Sequence, residues 1–489
     1  MSVFTETHEY KWQNNIFTGE WVSASGGGRN EVLEPATEQV LTTTGLASGN
    51  DVQLACARAA ETQQDWVKHT PRERSAIFLK AARFLEDNAE ELALLIARET
   101  GGIIPKGQHE VKEAAFILQL ASSIAVEADG HTLASTPDRQ SYAKRLPLGV
   151  VGVISPFNFP LILSTRAVVP ALAMGNAVVS KPDTQTPLSG GMLLALALEE
   201  AGLPQGVYQV LPGGADAGEA LCTAPEVAMV AFTGSTDTGR KVGELCGRNL
   251  KKVSLELGGK SPLIILADAD LDVAASNIAW GAYFHQGQIC MASGRVLVHE
   301  SIADELAQKL VEKARHLPVG DPVSGQVALG PLINRRQVER VHAIVHDSVK
   351  AGAVLQAGGE YKGLFYQPTV LSGVKPGMRA YEEEVFGPVI NLTTFKTDDE
   401  AVRVANDTEY GLAGAVISAD LARAQAIGAQ LKVGMLHIND QTINDECTNP
   451  FGGCGQSGNG HAVGSISDWD TYTHWQWVTV KQAATPYPF

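Results

Sequence analysis

A carboxylate and a thiol lie 34 positions apart in this chain, each in a setting suited to chemistry. Glu256 sits within Leu255-Glu256-Leu257-Gly258-Gly259-Lys260, an apolar segment that ends in glycines. Cys290 closes the segment Gly287-Gln288-Ile289-Cys290. A cysteine can attack an electrophilic carbon, and a carboxylate whose pKa is raised by burial can activate water at neutral pH. The pair points to covalent catalysis in which hydrolysis releases the nucleophile. Each residue also has a plainer account. Single cysteines are mostly small core residues, and a buried glutamate can be held by a lysine or arginine. Gly287, Gln286 and Gln288 give Cys290 an irregular, approachable backbone, and Glu256 inside an apolar strand is the harder to explain without a function.

Other residues could assist them. Asn158, in Pro156-Phe157-Asn158-Phe159-Pro160, is flanked by rings, so its amide can be a fixed donor to an oxyanion or a turn asparagine satisfied by backbone. Phe232-Thr233-Gly234-Ser235-Thr236-Asp237-Thr238-Gly239 reads as the end of a strand and the start of a helix. Its exposed N–H groups and helix dipole suit a phosphate, though a plain helix N-cap has the same composition. Gly259-Lys260-Ser261 is not a P-loop, because Ser254 occupies the required upstream glycine position. Lys181, at a strand's carboxyl end, is either a ligand contact or a solvated lysine before Pro182. Glu384, in Glu382-Glu383-Glu384-Val385-Phe386-Gly387-Pro388, belongs to a solvated acidic run or to a site beside an unusual turn.

The elements that must position these groups follow from hydrophobic period. Arg72 to Thr100 has helical spacing, with Pro71 at its start and Gly101-Gly102 as its stop. From Gly149 short β-branched runs alternate with helix-length stretches. Predicted strands are 150–154, 177–180, 207–211, 228–232 and 253–257, separated by helices over 161–174, 189–200 and 236–246. Strands apolar on both faces, with helices between them, imply a parallel sheet covered on each side, a nucleotide-binding type of architecture. A second αβ series starts at 262–266 and runs to about Gly460. Residues 139–148 and 473–481 alternate at strand period without helices, as expected of an antiparallel flap that faces another subunit. The predicted class is α/β, with a Rossmann-like cofactor domain (1–124 and 148–258), a second α/β catalytic domain (259–459) and a small antiparallel oligomerisation flap (125–147 and 460–489).

Composition narrows the class. At 489 residues the chain exceeds one hydrophobic core, so two or three domains are expected. A net charge of -16 argues against a generic nucleic-acid surface. The apolar stretch 161–180 contains Arg166, Pro170 and Asn176, which a membrane span would not hold cheaply. Met1 to Trp12 has no apolar core of a secretory signal. The six cysteines show no CxxC spacing, so reduced thiols and a cytoplasmic location are expected. No HExxH is completed, and no metal is predicted.

Taken together, the ordered motifs Pro-Phe-Asn-Phe-Pro, Lys181-Pro182, Phe-Thr-Gly-Ser, Glu-Leu-Gly-Gly-Lys, Gly-Gln-Ile-Cys, Glu-Val-Phe-Gly-Pro and Pro450-Phe451-Gly452-Gly453 resemble the NAD(P)-dependent aldehyde dehydrogenase superfamily over nearly the whole chain. The resemblance implies Cys290 as nucleophile, Glu256 as general base, and Asn158 with the Cys290 N–H as oxyanion hole. It implies cofactor contacts from Ile154, Ser155, Pro156 and Phe157, from Lys181 and Thr184 at the adenosine ribose, and from Gly214. Gly234 and Ser235 would contact the pyrophosphate region, with Phe232, Gly239 and Leu257 as further cofactor contacts and Glu384 and Phe386 at the nicotinamide ribose. The chain departs from the commoner pattern at Phe157, usually tryptophan, and at Thr184, where many NAD-preferring members carry glutamate. NAD is expected as the preferred cofactor, with NADP tolerated.

Three stretches, 284–288, 434–441 and Trp475-Gln476-Trp477, are more similar to the benzaldehyde (aromatic aldehyde) dehydrogenase branch. The implied substrate is benzaldehyde or a hydroxy or methoxy relative, entering past Phe159, Leu163, Tyr283, Phe284, Ile289 and Cys447. The competing readings are a CoA-acylating or broad aliphatic member, a cysteine hydrolase pairing Cys290 with His285, and a non-catalytic protein that keeps the fold. A homodimer or homotetramer is expected from the flap.

Overall fold

The computed structural model describes residues 3–127, 129–464 and 466–489. Met1, Ser2, Ala128 and Ser465, which the expected units include, lie outside the described residues.

Five parallel strands form the centre of the first sheet: Val150–Ile154, Ala177–Lys181, Tyr208–Val210, Val227–Thr233 and Lys252–Glu256. Numbered in chain order they lie side by side as 5-4-1-2-3. The first strand is buried at all five positions, as a strand covered on both faces must be. The order reverses between the first and fourth strands, and ligands bind open α/β sheets outside the carboxyl ends at such a switch point.

Two features of this half differ from the pattern in the sequence. The long first helix is broken at Asn88 into Pro71–Asp87 and Ala89–Thr100, because Asn88 leaves helical geometry and its amide donates to the Phe84 carbonyl at 2.7 Å. The amino-terminal part is also not purely helical. Strands Asn15–Phe17 and Trp21–Ser23 extend the sheet antiparallel beyond Tyr208–Val210, and Arg29–Glu34 pairs with Gln39–Gly45 as a separate hairpin. Three-residue strands carry too little period to be read from sequence.

A second, seven-stranded sheet holds Pro262–Ile265 and Arg295–His299 at its centre, flanked by Val389–Phe395 and Ala413–Ile417. All its pairings are parallel except that of the edge strand Val354–Ala357. Apart from both sheets, Thr473–Val480 runs antiparallel along Gln140–Pro147 with Gly130–Thr132 on the far side. Thr473–Val480 is an edge strand, and Trp475 and Trp477 stand exposed on it. No helix among the described residues is long and apolar enough to cross a membrane.

Lys252–Glu256 is the outer strand of the first sheet, and the segment Ser457–Asn459 covers its free edge. Leu257 N–H donates to the Ser457 carbonyl at 2.9 Å, and the Asn459 side chain both accepts from Leu255 N–H and donates to the Val253 carbonyl. Immediately afterwards the chain passes under the Cys290 loop. A Cβ on Gly259 would lie 2.2 Å from the Cys290 carbonyl oxygen. Gly259→Ala should therefore push that loop away while leaving the fold intact, and a displacement near 1 Å costs about 10²-fold in rate. Circular dichroism with steady-state kinetics checks this; a folded Gly259→Ala enzyme with parent-like kcat would contradict the packing.

Candidate active site

Strand ends and helix starts from both sheets converge where Cys290 lies. After Val150–Ile154 the chain turns through Ser155, Pro156, Phe157 and Asn158 into the helix Pro160–Ala173. That helix has no side-chain cap from its own N-cap residue. Instead Glu110, paired with Lys106 in a fully buried ion pair, accepts the N–H groups of Leu161 (3.0 Å) and Ile162 (3.4 Å). The cap fixes the helix start directly after Asn158.

Asn158 is 4% exposed, and its amide donates to the Gln288 carbonyl at 2.9 Å. One of its two N–H groups thus ties it to the Cys290 loop, leaving the second as a donor. The loop is held in an uncommon shape: His285, Gln286 and Gly287 all have positive φ (48°, 55° and 68°). Gln286 offsets this by donating to the carbonyls of Gly101 and Pro331. Gln288 accepts from Ile333 N–H at 3.0 Å, and Ala292 N–H closes a turn onto Ile289.

Cys290 is half-buried, and burial, with the Glu384 and Glu256 carboxylates nearby, holds its thiol well above the usual range. Glu256 is 4% exposed, and neither carboxylate oxygen has a hydrogen-bond partner. Burial pushes its pKa well up, opposed by Arg166. No hydrogen bond among the described residues joins His285 to Cys290. His285 is buried, held neutral by desolvation, and packs edge-on against Phe159 with ring centroids 5.2 Å apart.

The remaining site candidates fall into two groups. Around the switch point, the Lys181 ammonium donates to the Gly213 carbonyl at 2.9 Å, with Asp183 and Asp216 as its acidic neighbours. Gly214 is the N-cap of the helix Ala215–Thr223, and Ser235 that of Thr236–Arg248. The Thr184 carbonyl accepts from Asn30 at 2.7 Å. A Cβ on Gly234 would lie 2.6 Å from the Phe232 ring, and one on Gly239 would lie 2.3 Å from Leu257. Both backbones stay bare, and Ile154, Phe232 and Leu257 share the core beneath them. Glu384 accepts Gly259 N–H at 3.0 Å, just after the first sheet ends, and burial raises it to about 7. Phe386, at φ 54°, stands edge-on to Phe157 at 5.9 Å. Glycine backbone open to close approach at a helix start, a lysine beside two carboxylates, and a half-buried carboxylate across the crevice fit a dinucleotide.

The second group is apolar. Phe159, Phe284 and Ile289 pack together with Cys290, Phe451 and Ile443. Leu163 lines a cavity with Glu256 and Phe451, and Cys447 lies 3.4 Å from the Arg166 guanidinium. Tyr283 does not join them. Its ring is buried in the core of the second sheet and its hydroxyl donates to the Thr369 carbonyl at 3.0 Å, because its position on Leu271–Tyr283 faces inward. Trp280, one helical turn earlier and half exposed, is the ring that stacks on Phe284, at 4.5 Å and 14°. Sequence reasoning also passed over Arg166 and Glu110. Arg166 was visible as a charge inside an apolar stretch, whereas nothing local marks Glu110.

A profile of the aldehyde dehydrogenase family matches residues 21–478. Over 480 residues the chain is 48% identical to a vanillin dehydrogenase of Amycolatopsis sp., covering 98% of this chain and 99% of that one. It is 47% identical to an NAD(+) benzaldehyde dehydrogenase of Pseudomonas putida over 479 residues, 98% of each. An NAD-dependent aldehyde dehydrogenase from Sinorhizobium meliloti superposes with a TM-score of 0.94 at 37% identity, over 98% of this chain and 97% of that one. A betaine aldehyde dehydrogenase from Staphylococcus aureus, solved with NAD+, gives 0.95 at 30%, over 99% and 97%. The chain belongs to the aldehyde dehydrogenase family.

Proposed function

We propose that the chain oxidises aromatic aldehydes of the benzaldehyde or vanillin type to carboxylic acids with NAD. The observation that carries this reading is the buried, partner-free Glu256 carboxylate in one site with Cys290 and Asn158. The Cys290 thiol gives up its proton to water and the thiolate adds to the aldehyde carbon, while the free amide N–H of Asn158 and the Cys290 N–H donate to the oxyanion. The bound nicotinamide supplies the hydride acceptor. Glu256 then takes a proton from the water that cleaves the thioester. An acyl-transfer enzyme using CoA has no need of a buried base at that place.

Lys181 and Thr184 would hold the adenosine ribose of NAD, Gly234 and Ser235 its pyrophosphate, and Glu384 and Phe386 its nicotinamide ribose. Asp183 and Asp216 beside Lys181 would repel a 2′-phosphate, which favours NAD over NADP. Phe159, Phe284 and the stacked Trp280 suit a flat ring. The relatives named for vanillin and benzaldehyde support the same substrate class. We further infer a cytoplasmic protein with the three units expected from its sequence, assembled as a dimer or tetramer through the exposed edge strand Thr473–Val480. Sedimentation at micromolar concentration should give at least a dimer, and a monomer would refute the assembly.

Glu256→Gln should release one equivalent of reduced cofactor per site and then turn over about 10²–10⁴-fold more slowly than the parent. The parent's hydrolytic rate should fall as pH drops through the raised Glu256 pKa, since only the ionised carboxylate accepts a proton. Stopped-flow fluorescence measures both, and parent-like turnover of Glu256→Gln would exclude the base. In a substrate panel, kcat/KM for benzaldehyde with NAD should exceed that for hexanal and that with NADP. Added CoA should leave free acid as the only product. Equal use of hexanal, a preference for NADP or an acyl-CoA product would each overturn its part of the assignment.

A further inference from the structure

Glu256 shares its burial with a second charge. A cavity large enough for a water molecule lies between the helix Pro160–Ala173 and the carboxyl ends of Val227–Thr233 and Lys252–Glu256. Arg166, Ser254 and Glu256 line it, and Phe451 and Val463 close it. Arg166 Nε and Nη1, Ser254 Oγ and both Glu256 oxygens are buried without a hydrogen-bond partner. Buried polar atoms are normally satisfied, so this many open donors and acceptors around one cavity require water in it.

Arg166 is anchored from its other side. Its Nη2 donates to Asp445 Oδ2 at 2.8 Å and to the Cys447 sulfur at 3.4 Å, and its guanidinium lies 5.1 Å from the centre of the Phe451 ring. The guanidinium is 4% exposed by side chain, yet makes no direct hydrogen bond to Glu256. An arginine built into the wall with its remaining donors open is placed to act through water.

We propose that Arg166 is a positioning residue for the general base: across this water-filled cavity it favours the ionised form of the Glu256 carboxylate, the form that accepts a proton. The inference rests on the hydrolytic role given to Glu256 above. The charged and titratable groups packed around Glu256 are few. Arg166 comes from the helix Pro160–Ala173 and Cys290 from its loop, with Tyr472 and Asp468 from Ile466–Tyr472 and Asp445 beyond Arg166. Tyr472 stays neutral because it is fully buried, and burial raises Asp468 to about 7. Arg166 is thus the charge that opposes the burial of Glu256. Its removal must raise the Glu256 pKa further, while loss of the Asp445 charge, which partly neutralises Arg166, must lower it.

The test is the pH dependence of thioester hydrolysis, measured as the post-burst rate with benzaldehyde and NAD. Arg166→Gln should keep a burst of one equivalent per site. Its acid limb should move up by about one pH unit, a tenfold loss at any pH below both limits. Arg166→Lys should move the limb back toward the parent position, and Asp445→Asn should move it the opposite way. An unmoved limb in Arg166→Gln, with burst and turnover lost in parallel, would make Arg166 a packing residue only. Should Arg166→Gln fail to fold, the opposite displacement in Asp445→Asn decides, and an unmoved limb there overturns the proposal. A parent enzyme that reduces no cofactor with benzaldehyde would instead defeat the functional reading on which it rests.

Discussion

Placing one carboxylate in the interior without a hydrogen-bond partner is the constraint around which this site is built. A group in that position is expensive in its charged form and strongly basic once charged. Glu256 occupies it because it ends a strand whose outer edge is covered by Ser457–Asn459. The bend that follows brings Gly259 beneath Cys290, so Glu256 and Cys290 are positioned by one short stretch of backbone.

The surrounding electrostatics follow from the same exclusion of water. Burial raises Glu384 to about 7 and the Cys290 thiol well above its usual range, and lowers Lys260 to about 7. Glu384 and Lys260 therefore change charge near neutral pH, whereas the resting Cys290 thiol stays protonated. Rigidity comes from buried ions placed elsewhere. The Lys106–Glu110 pair caps the helix after Asn158, and Glu99 accepts the N–H groups of Leu188 and Ser189 at 2.8 Å each. Those groups perform no chemistry, yet the position of Asn158 depends on the first of them.

The parts legible in the sequence are those whose physics is local. Parallel strands buried on both faces show as unbroken apolar runs, and Glu256, Cys290, Asn158, Lys181 and Glu384 lie in short motifs at strand ends. The Thr473–Val480 strand was visible by its alternation, with Trp475 and Trp477 exposed. What sequence did not reveal depends on contacts across long separations. Glu110 caps a helix 51 residues later, and Arg166 meets Asp445 after 279 residues. Tyr283 and Trp280 lie on one helix about 60° apart around its axis, and that phase decides which ring stacks on Phe284. The break at Asn88 arises from a single side chain competing with the helix backbone.

The central claim is that an acyl group passes through Cys290 before water removes it. Acid quench of the Glu256→Gln enzyme with benzaldehyde and NAD, followed by peptide mass spectrometry, tests it most directly. The account predicts one benzoyl group per chain, on the peptide bearing Cys290 and on no other cysteine. Free benzoate forming without any acylated peptide, or a benzoyl group on Cys447 or Cys454, would contradict it.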